Sequence, residues 1–267
     1  MNLKDYCQQA ARIAASAGAE ILKVYEGEIE VELKDDDSPL TLADKASHNE
    51  IVAGLQQLDS SIPVLSEEGA QIDFITRSSW STYWLIDPLD GTKEFIKRNG
   101  EFTVNIALVE RGVPILGVVY VPVTGITYFS WQGGGSWRQQ ANAEPVRLEV
   151  KRALPGSALT VVCSRSHRGE RLDQLLDRLG EYEALPTGSS LKLCMVAEGS
   201  ADFYPRLGPT SEWDTAAAHA VVLGAGGVVL DLNLEPLVYN QKDSLLNPEF
   251  LVMPEAKPAW LPDLGGL

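Results

Sequence analysis

The sequence predicts a mixed fold in which an α+β half, residues 1–152, is followed by an α/β half, residues 153–267. The chain begins with two helical patterns, continues with short β-type segments punctuated by Gly and Pro, and from residue 159 alternates strands with helices. Its 267 residues, 45% of them hydrophobic, suffice for a substantial buried core. No flexible linker marks the boundary, which we expect near residues 152–156.

The first element is predicted to be a helix over residues 3–24, because apolar residues recur there every three or four positions. Residues 28–37 carry six acidic side chains, a pattern that predicts an edge strand running into a solvated acidic loop. Thr41 and Asp44 then have the spacing of a capping box, which predicts a second helix ending near residue 58.

The middle of the chain is predicted to form a largely antiparallel meander, because short β-type runs alternate there with Gly and Pro. Gly133–Gly135 favours a hairpin loop, whereas Gly224–Gly227 follows a predicted helix and is typical of a helix C-terminal turn. The predicted strands are 64–65, 83–86, 102–109, 115–121, 126–130, 146–150, 159–163 and 228–230. The predicted helices of the second half are 168–179, 189–198 and 213–223.

Charge and composition exclude several classes of function. The chain has 37 acidic and 22 basic residues, a formal net charge of −15, and so lacks the excess of Lys and Arg that binders of nucleic acid or anionic membranes need. Its three cysteines, scattered without a C-x-x-C pair, fit neither a disulfide framework nor a zinc cage. Without a signal peptide or an apolar stretch of about 18 residues, the sequence predicts a cytoplasmic protein with no membrane span. His48 and His219 are expected to be structural.

Acidic residues at predicted element ends could bind a cation. Asp87 and Asp90 follow a predicted strand and flank a Pro-Leu pair, so their carboxylates could converge on one hard cation or bridge two. An ordinary β-turn explains this segment equally well. Glu67 and Asp214 also lie at element ends, where each alone is compatible with a structural role. Together, several such carboxylates favour a metal-dependent phosphoryl-transfer site.

Three motifs taken together resemble the signature of the lithium-sensitive, magnesium-dependent phosphatases of the inositol monophosphatase superfamily. They are Leu65–Glu68, Asp87–Thr92 and Trp213–Ala217, whose order and spacing cover nearly the whole chain. Lys93–Asn105 resembles the CysQ-type 3'(2'),5'-bisphosphate nucleotidases of that superfamily, whereas inositol monophosphatases usually have Thr-Asn-Phe after the Gly-Thr. Three further segments resemble the same nucleotidases, namely Ser164–His167, Gly188–Lys192 and Tyr204–Arg206. The resemblance implies the layered α-β-α-β-α sandwich of this fold family.

The same resemblance implies a site for two magnesium ions, with a third, weaker ion near Glu67. Glu67, Asp87 and the backbone carbonyl of Leu89 would hold the first ion. Asp87, Asp90 and Asp214 would hold the second ion, so that Asp87 bridges the pair.

Catalytic roles are implied for Asp44 and Thr92, which would orient a water for in-line attack on phosphorus. This role competes with the capping-box role of Asp44, and both hold only if its side chain faces Thr92. For two further residues a structural alternative stays open, namely a surface loop for His167 and a solvated helix face for Lys192. The implied substrate contacts are Glu67, Gly91, Thr92, His167, Ser189, Lys192, Arg206 and Asp214.

The implied activity is hydrolysis of the 3'-phosphate of adenosine 3',5'-bisphosphate (PAP) to AMP in sulfur assimilation. The sulfated precursor 3'-phosphoadenylyl sulfate (PAPS) is a second implied substrate, giving adenylyl sulfate. An inositol or sugar phosphate is an alternative substrate, although Lys93–Glu94 speaks against it. A non-catalytic sulfonucleotide-binding protein is a further alternative, which the intact set of acidic residues disfavours. The resemblance leaves open a homodimer and a peripheral location on the cytoplasmic face of the inner membrane.

Overall fold

A computed structural model of the chain describes residues 1–27, 29, 31–33, 39–69, 71–153, 157–164 and 169–266. Most of the predicted acidic loop and the candidate residue His167 lie outside these residues. The described helices are α1 (Leu3–Tyr25), α2 (Leu42–Leu58), α3 (Phe74–Ser78), α4 (Thr92–Ile96), α5 (Glu170–Asp177), α6 (Leu191–Ala197) and α7 (Glu212–Gly224). The described strands are β1 (Val31–Leu33), β2 (Pro39–Thr41), β3 (Val64–Ser66), β4 (Thr82–Asp90), β5 (Thr103–Glu110), β6 (Val113–Val121), β7 (Ile126–Trp131), β8 (Gly135–Gln140), β9 (Val146–Leu148), β10 (Leu159–Ser164), β11 (Tyr182–Thr187), β12 (Tyr204–Arg206), β13 (Val228–Asp231) and β14 (Phe250–Met253).

The strands of the two halves form separate sheets. β3 to β9 lie side by side in chain order, with β3 parallel to β4 and every later pairing antiparallel. This arrangement confirms the predicted meander. In the second half, β10 and β11 pair in parallel, while β12, β14 and β13 form an antiparallel group. The Val162 N–H donates to the Phe203 carbonyl at 2.8 Å, which joins β10 to the chain just before β12.

Helices cover both sheets and fill the space between them. α1 and α2 pack on one face of the seven-stranded sheet, where Ile21 and Leu55 cluster with Trp84. α6 and α7 lie between the other face and the strands of the second half. α5 packs on the far side of those strands, where Leu175 clusters with Leu251. The layers therefore follow the α-β-α-β-α order that the resemblance implied. The middle core includes residues from both halves of the chain, and the division at residue 152 stays a prediction.

Small residues allow α7 to lie very close to the sheet. A Cβ added to Gly117 on β6 would lie only 2.0 Å from the carbonyl oxygen of Ala217 on α7. Ala216 and Ala217 are themselves buried in this contact layer. Because protein interiors are close-packed, a larger side chain at these positions would push the two elements apart. The Ala-Ala pair after Asp214 therefore serves packing, and it keeps Asp214 near the strands.

Several elements are additional to the predicted ones, namely α3, α4, β2, β8, β11, β12 and β14. The strand predicted within the acidic run exists as β1, but among the described strands it pairs only with β2, in a separate ribbon. The described part of the chain contains no helix with both the length and the apolar character needed to cross a bilayer.

His219 on α7 gives the fold a defined pH dependence. Its ring is buried, and Nδ1 lies 2.9 Å from the Tyr239 hydroxyl. Burial lowers the pKa of His219 to about 3, whereas in the unfolded chain the imidazole takes up a proton below about pH 6.5. Because the histidine pKa is lower in the folded chain than in the unfolded chain, stability is lost as the pH falls below the pKa of the unfolded chain.

We therefore expect acidification to destabilise the native chain more than the variant His219→Gln. Between about pH 7 and pH 5, the free energy of unfolding should fall by about 2 kcal/mol more in the native chain. Urea titrations of both proteins at each pH measure this difference. Equal pH dependence in the two proteins would contradict the neutral, buried state of His219.

Candidate functional site

A one-residue bulge brings Asp87 and Asp90 to the same side of β4. In a regular strand, residues three apart point to opposite faces of the sheet. Here Asp87 pairs with Asn105 and Asp90 with Thr103, so that two residues of β4 oppose Val104 alone. The extra residue reverses the alternation. As a result, both carboxylates reach the same point, near the start of α7.

Four of the predicted ligands are adjacent at this point. One carboxylate oxygen each from Asp87, Asp90 and Asp214 lies within 4.8 Å of the others. Asp214 is the third residue of α7, where its Oδ2 accepts the Ser211 N–H at 2.9 Å in a capping box. Burial, followed by the charges of Glu67, Asp90 and Asp214, raises the pKa of Asp87 well above its usual value. Glu67 also lies within hydrogen-bonding reach of Asp87.

The donor set fits magnesium. Magnesium takes oxygen ligands at about 2.0–2.1 Å in an octahedron, so its opposite ligands lie about 4 Å apart. Carboxylate oxygens within 4.8 Å of one another match that span, for one ion or for two that share a ligand. Like charges gathered in a buried place repel one another strongly. A bound divalent cation offsets this repulsion, which is the physical reason to expect one here.

Asp44 makes the contacts needed for both of its expected roles. Its Oδ2 accepts the Thr41 N–H at 2.7 Å and the Thr41 hydroxyl at 2.6 Å, as in a capping box. Its Oδ1 accepts the Thr92 hydroxyl at 3.3 Å. That hydroxyl also lies 3.4 Å from the carbonyl oxygen of Leu89, a predicted metal ligand. The two roles are compatible, because each uses a different oxygen of Asp44.

Gly91 provides the turn that brings Thr92 back towards Leu89. It precedes α4 in a left-handed conformation with φ of 98°, which residues with a Cβ rarely adopt. A Cβ here would also lie 3.1 Å from the carbonyl oxygen of Glu101. The glycine in the segment Asp-Pro-Leu-Asp-Gly-Thr is therefore required by the backbone of the site.

Five of the predicted substrate residues, from both halves of the chain, line one open cleft, namely Gly91, Ser189, Lys192, Arg206 and Asp214. Lys192 lies in this cleft and is buried, so the alternative of a solvated helix face is wrong. Its Nζ donates to the Ser189 carbonyl at 2.6 Å and lies 5.5 Å from the centre of the Tyr204 ring. Burial lowers the pKa of Lys192 to about 8, although the charge of Asp90 opposes this shift. The lining includes Asp90, Gly91, Lys93, Glu94, Ser164, Ser189, Lys192, Tyr204, Arg206 and Asp214.

Arg206 and Ser189 are held in defined conformations at this cleft. The Arg206 guanidinium donates from Nε to the Thr210 hydroxyl at 2.5 Å and from Nη2 to the Pro209 carbonyl at 2.6 Å. Ser189 has a positive φ of 48°, an uncommon conformation for a residue with a side chain. His167 lies outside the described residues, and its contact with substrate stays a prediction.

Three polar residues that contact Asp90 were not predicted from the sequence, namely Thr103, Asn105 and Ser190. A signal for two of them was available. Thr103 and Asn105 are two positions apart in a strand whose other residues are apolar up to Glu110 at its end, and alternating polar residues in such a strand lie on one face. Both are buried, which identifies them as partners of another polar group.

The carboxylate cluster at the end of β4 could hold a metal ion, and the layered fold around it is shared with a known family. Residues 2–260 match the sequence model of the inositol monophosphatase family. The chain belongs to this family.

Individual relatives refine the comparison. The 3'(2'),5'-bisphosphate nucleotidase CysQ of Salmonella typhimurium is 49% identical over 247 residues, which is 92% of this chain and 98% of that protein. The crystal structure of CysQ from Bacteroides thetaiotaomicron has a TM-score of 0.84 and 43% identity, covering 94% of this chain and 98% of that one. The inositol monophosphatase from Anabaena is more distant, with a TM-score of 0.74 and 25% identity over 96% of this chain and 93% of that one.

Proposed function

We propose that the protein is a magnesium-dependent phosphatase that hydrolyses the 3'-phosphate of PAP to give AMP, and that of PAPS to give adenylyl sulfate, in sulfur assimilation. The observation that carries this proposal is that acidic ligands and the basic residues Lys192 and Arg206 line one cleft. A nucleotide with two phosphate groups can place one against cations and the other against these side chains. The name of the 49% identical relative, a bisphosphate nucleotidase, supports the same substrate class.

The acidic cluster is proposed to hold two magnesium ions, with a third, weaker one near Glu67. Glu67, Asp87 and the Leu89 carbonyl hold the first ion, and Asp87, Asp90 and Asp214 hold the second. When bound, the ions neutralise phosphate oxygens and lower the pKa of water. The short separation of the carboxylate oxygens of Asp87, Asp90 and Asp214 supports this proposal. Sensitivity to lithium belongs to the same proposal.

Asp44 and Thr92 are proposed to orient the attacking water. The Thr92 hydroxyl has two acceptors within reach, Asp44 Oδ1 and the Leu89 carbonyl. When it donates to either of them, its oxygen can only accept a hydrogen bond from a water, which restricts the direction in which that water presents its lone pair. The backbone N–H of Thr41 in turn holds Asp44. A water held in line with the leaving oxygen gains most of the advantage that orientation can give.

The second phosphate is proposed to contact Ser189, Lys192 and Arg206. The fork of a guanidinium suits phosphate oxygens, and Arg206 is already held by Thr210. The reacting phosphate is proposed to lie against Glu67, Gly91, Thr92 and Asp214. A cytoplasmic location, peripheral membrane association and a homodimer stay predictions.

Phosphate release from PAP and from inositol 1-phosphate tests the function. We expect faster release from the nucleotide in the presence of magnesium, loss of release with EDTA, and inhibition by added lithium. Equal or faster release from inositol 1-phosphate would favour the alternative of an inositol phosphatase. Binding of PAP without release from either compound would favour a non-catalytic sulfonucleotide-binding protein.

The variant Arg206→Met tests the contact with the second phosphate. We expect KM for PAP to rise about 10–100-fold with a smaller change in kcat, because a charged hydrogen bond to a non-reacting phosphate is lost. Adenosine 3'-monophosphate lacks that phosphate, and the variant should barely affect its hydrolysis. Arg138→Met, which removes a guanidinium that lies beside Glu198, is the matched control. Equal losses with both substrates would contradict the assignment.

A further inference from the structure

Three buried polar side chains lie behind Asp90, and the proposed function does not use them. They are Thr103 and Asn105, which are fully buried, and Ser190, which is almost fully buried. Thr103 and Asn105 are two residues apart on β5 and therefore point to the same face of the sheet. Ser190 comes from the other half of the chain and is the N-cap of α6. Residues of both halves thus meet at one metal ligand.

All three residues converge on the same oxygen of Asp90. Its Oδ2 accepts the Ser190 N–H at 2.5 Å and the Asn105 side-chain amide at 3.3 Å. The Thr103 hydroxyl lies 3.4 Å from this oxygen. The N–H groups of Ser190 and Asn105 are enough to engage the lone pairs of this oxygen, whichever acceptor the single proton of the Thr103 hydroxyl takes. The other carboxylate oxygen, Oδ1, is therefore the one left for a cation.

Asn105 has a distinct position within this set. Its Oδ1 accepts the Ser190 hydroxyl at 2.8 Å and the Thr103 hydroxyl at 3.2 Å. Since its oxygen faces two hydroxyls, its amide nitrogen faces Asp90. A hydroxyl can rotate away from its partner, whereas an amide held at both ends keeps its orientation.

We propose that Asn105 is a positioning residue that holds the Asp90 carboxylate in its metal-ligating orientation. Through Ser190, the same contacts tie this ligand to Ser189 and to the first turn of α6, which carries Lys192. The inference rests on the metal-binding part of the proposed function. Residues that orient metal ligands in this way typically contribute about 10–100-fold to metal affinity.

Magnesium binding to the substrate-free protein, measured by isothermal titration calorimetry, tests this role. We expect Asn105→Ala to raise the Kd for magnesium about 10–100-fold. In phosphate-release assays, the magnesium concentration at half-maximal rate should rise by a similar factor, while kcat at saturating magnesium recovers to within about threefold. If Asn105 had a merely structural role, its substitution would lower the melting temperature and change neither the Kd for magnesium nor the magnesium concentration at half-maximal rate.

Ser136→Ala is the matched control. Ser136 is also fully buried, but its hydroxyl donates to the Val221 carbonyl at 2.6 Å rather than to a residue of the site. This variant should lose some stability and keep the magnesium Kd of the native chain. An unchanged Kd in Asn105→Ala, with only a lower melting temperature, would overturn the proposal.

A second variant covers the case in which Asn105→Ala does not fold. Thr103→Val keeps the side-chain volume and removes one of the hydroxyls around Asp90 and Asn105. We expect its Kd for magnesium to rise at least about threefold, and an unchanged Kd would overturn the proposal. A native chain that binds magnesium but releases no phosphate from PAP contradicts only the proposed function. A native chain that binds no magnesium contradicts both.

Discussion

Replacing Asp87 by asparagine is expected to abolish phosphate release and, at the same time, to stabilise the magnesium-free protein. Burial, and after it the charges of three neighbouring carboxylates, raises the pKa of Asp87 well above its usual value. Because the carboxyl pKa is higher in the folded chain than in the unfolded chain, stability is lost as the pH rises through the pKa of the folded chain. The uncharged amide removes this repulsion, and it also removes the ligand that would bridge two ions. We expect a rate loss of at least about 10³-fold, the effect of losing several kcal/mol of stabilisation from the metals.

Thermal unfolding with and without magnesium measures the stability part of this prediction. Without magnesium, Asp87→Asn should melt a few degrees higher than the native chain, at roughly 2–4 °C for each kcal/mol gained. Magnesium should raise the melting temperature of the native chain and leave that of the variant almost unchanged. The control is Asp202→Asn, which alters a buried aspartate that accepts the Thr160 N–H. A variant less stable than the native chain without magnesium would contradict the proposed repulsion.

Thr92→Val is expected to reduce turnover on the order of 10²-fold or more while leaving stability nearly unchanged. The substitution removes the hydroxyl that lies between Asp44 and the cleft, and with it the proposed orientation of the attacking water. The hydrogen bonds between Asp44 and Thr41 stay in place. Steady-state kinetics at saturating magnesium, combined with urea unfolding, separates the two effects.

Thr41→Val is the matched control for this prediction, because it removes the hydroxyl on the other side of Asp44. It should cost about 1 kcal/mol of stability through loss of the helix cap, with little change in turnover. Asp44→Asn affects both contacts and should lower both turnover and stability. If Asp44→Asn and Thr92→Val keep their turnover, the assignment of Asp44 and Thr92 is wrong.

The identity of the acidic residues was easier to predict from sequence than the way in which they meet. Regular alternation places Asp87 and Asp90 on opposite faces of a strand, and only the bulge opposite Val104 brings them together. The proximity of Asp44 to Thr92 joins residues 48 positions apart. No local pattern contains that contact, and it was expected only from the resemblance to a family.

Two of the strands that were not predicted, β8 and β11, share a physical reason. β8 and β11 are rich in polar residues, and β11 contains a proline, so neither has the alternating pattern of a half-buried strand. Each forms by pairing with a neighbouring strand, β8 with β7 and β11 with β10. The burial of Lys192 was equally hard to foresee, because lysine is rarely buried unless it has a specific partner.

Phosphorus NMR of PAP incubated with the native chain and magnesium is the decisive test of whether the site removes the 3'-phosphate of an adenosine bisphosphate, because it identifies both products. We expect free phosphate and AMP that retains its 5'-phosphate, with no reaction in the parallel sample of Asp87→Asn. Formation of adenosine 3'-monophosphate, or intact PAP in a sample that hydrolyses inositol 1-phosphate, would contradict this expectation.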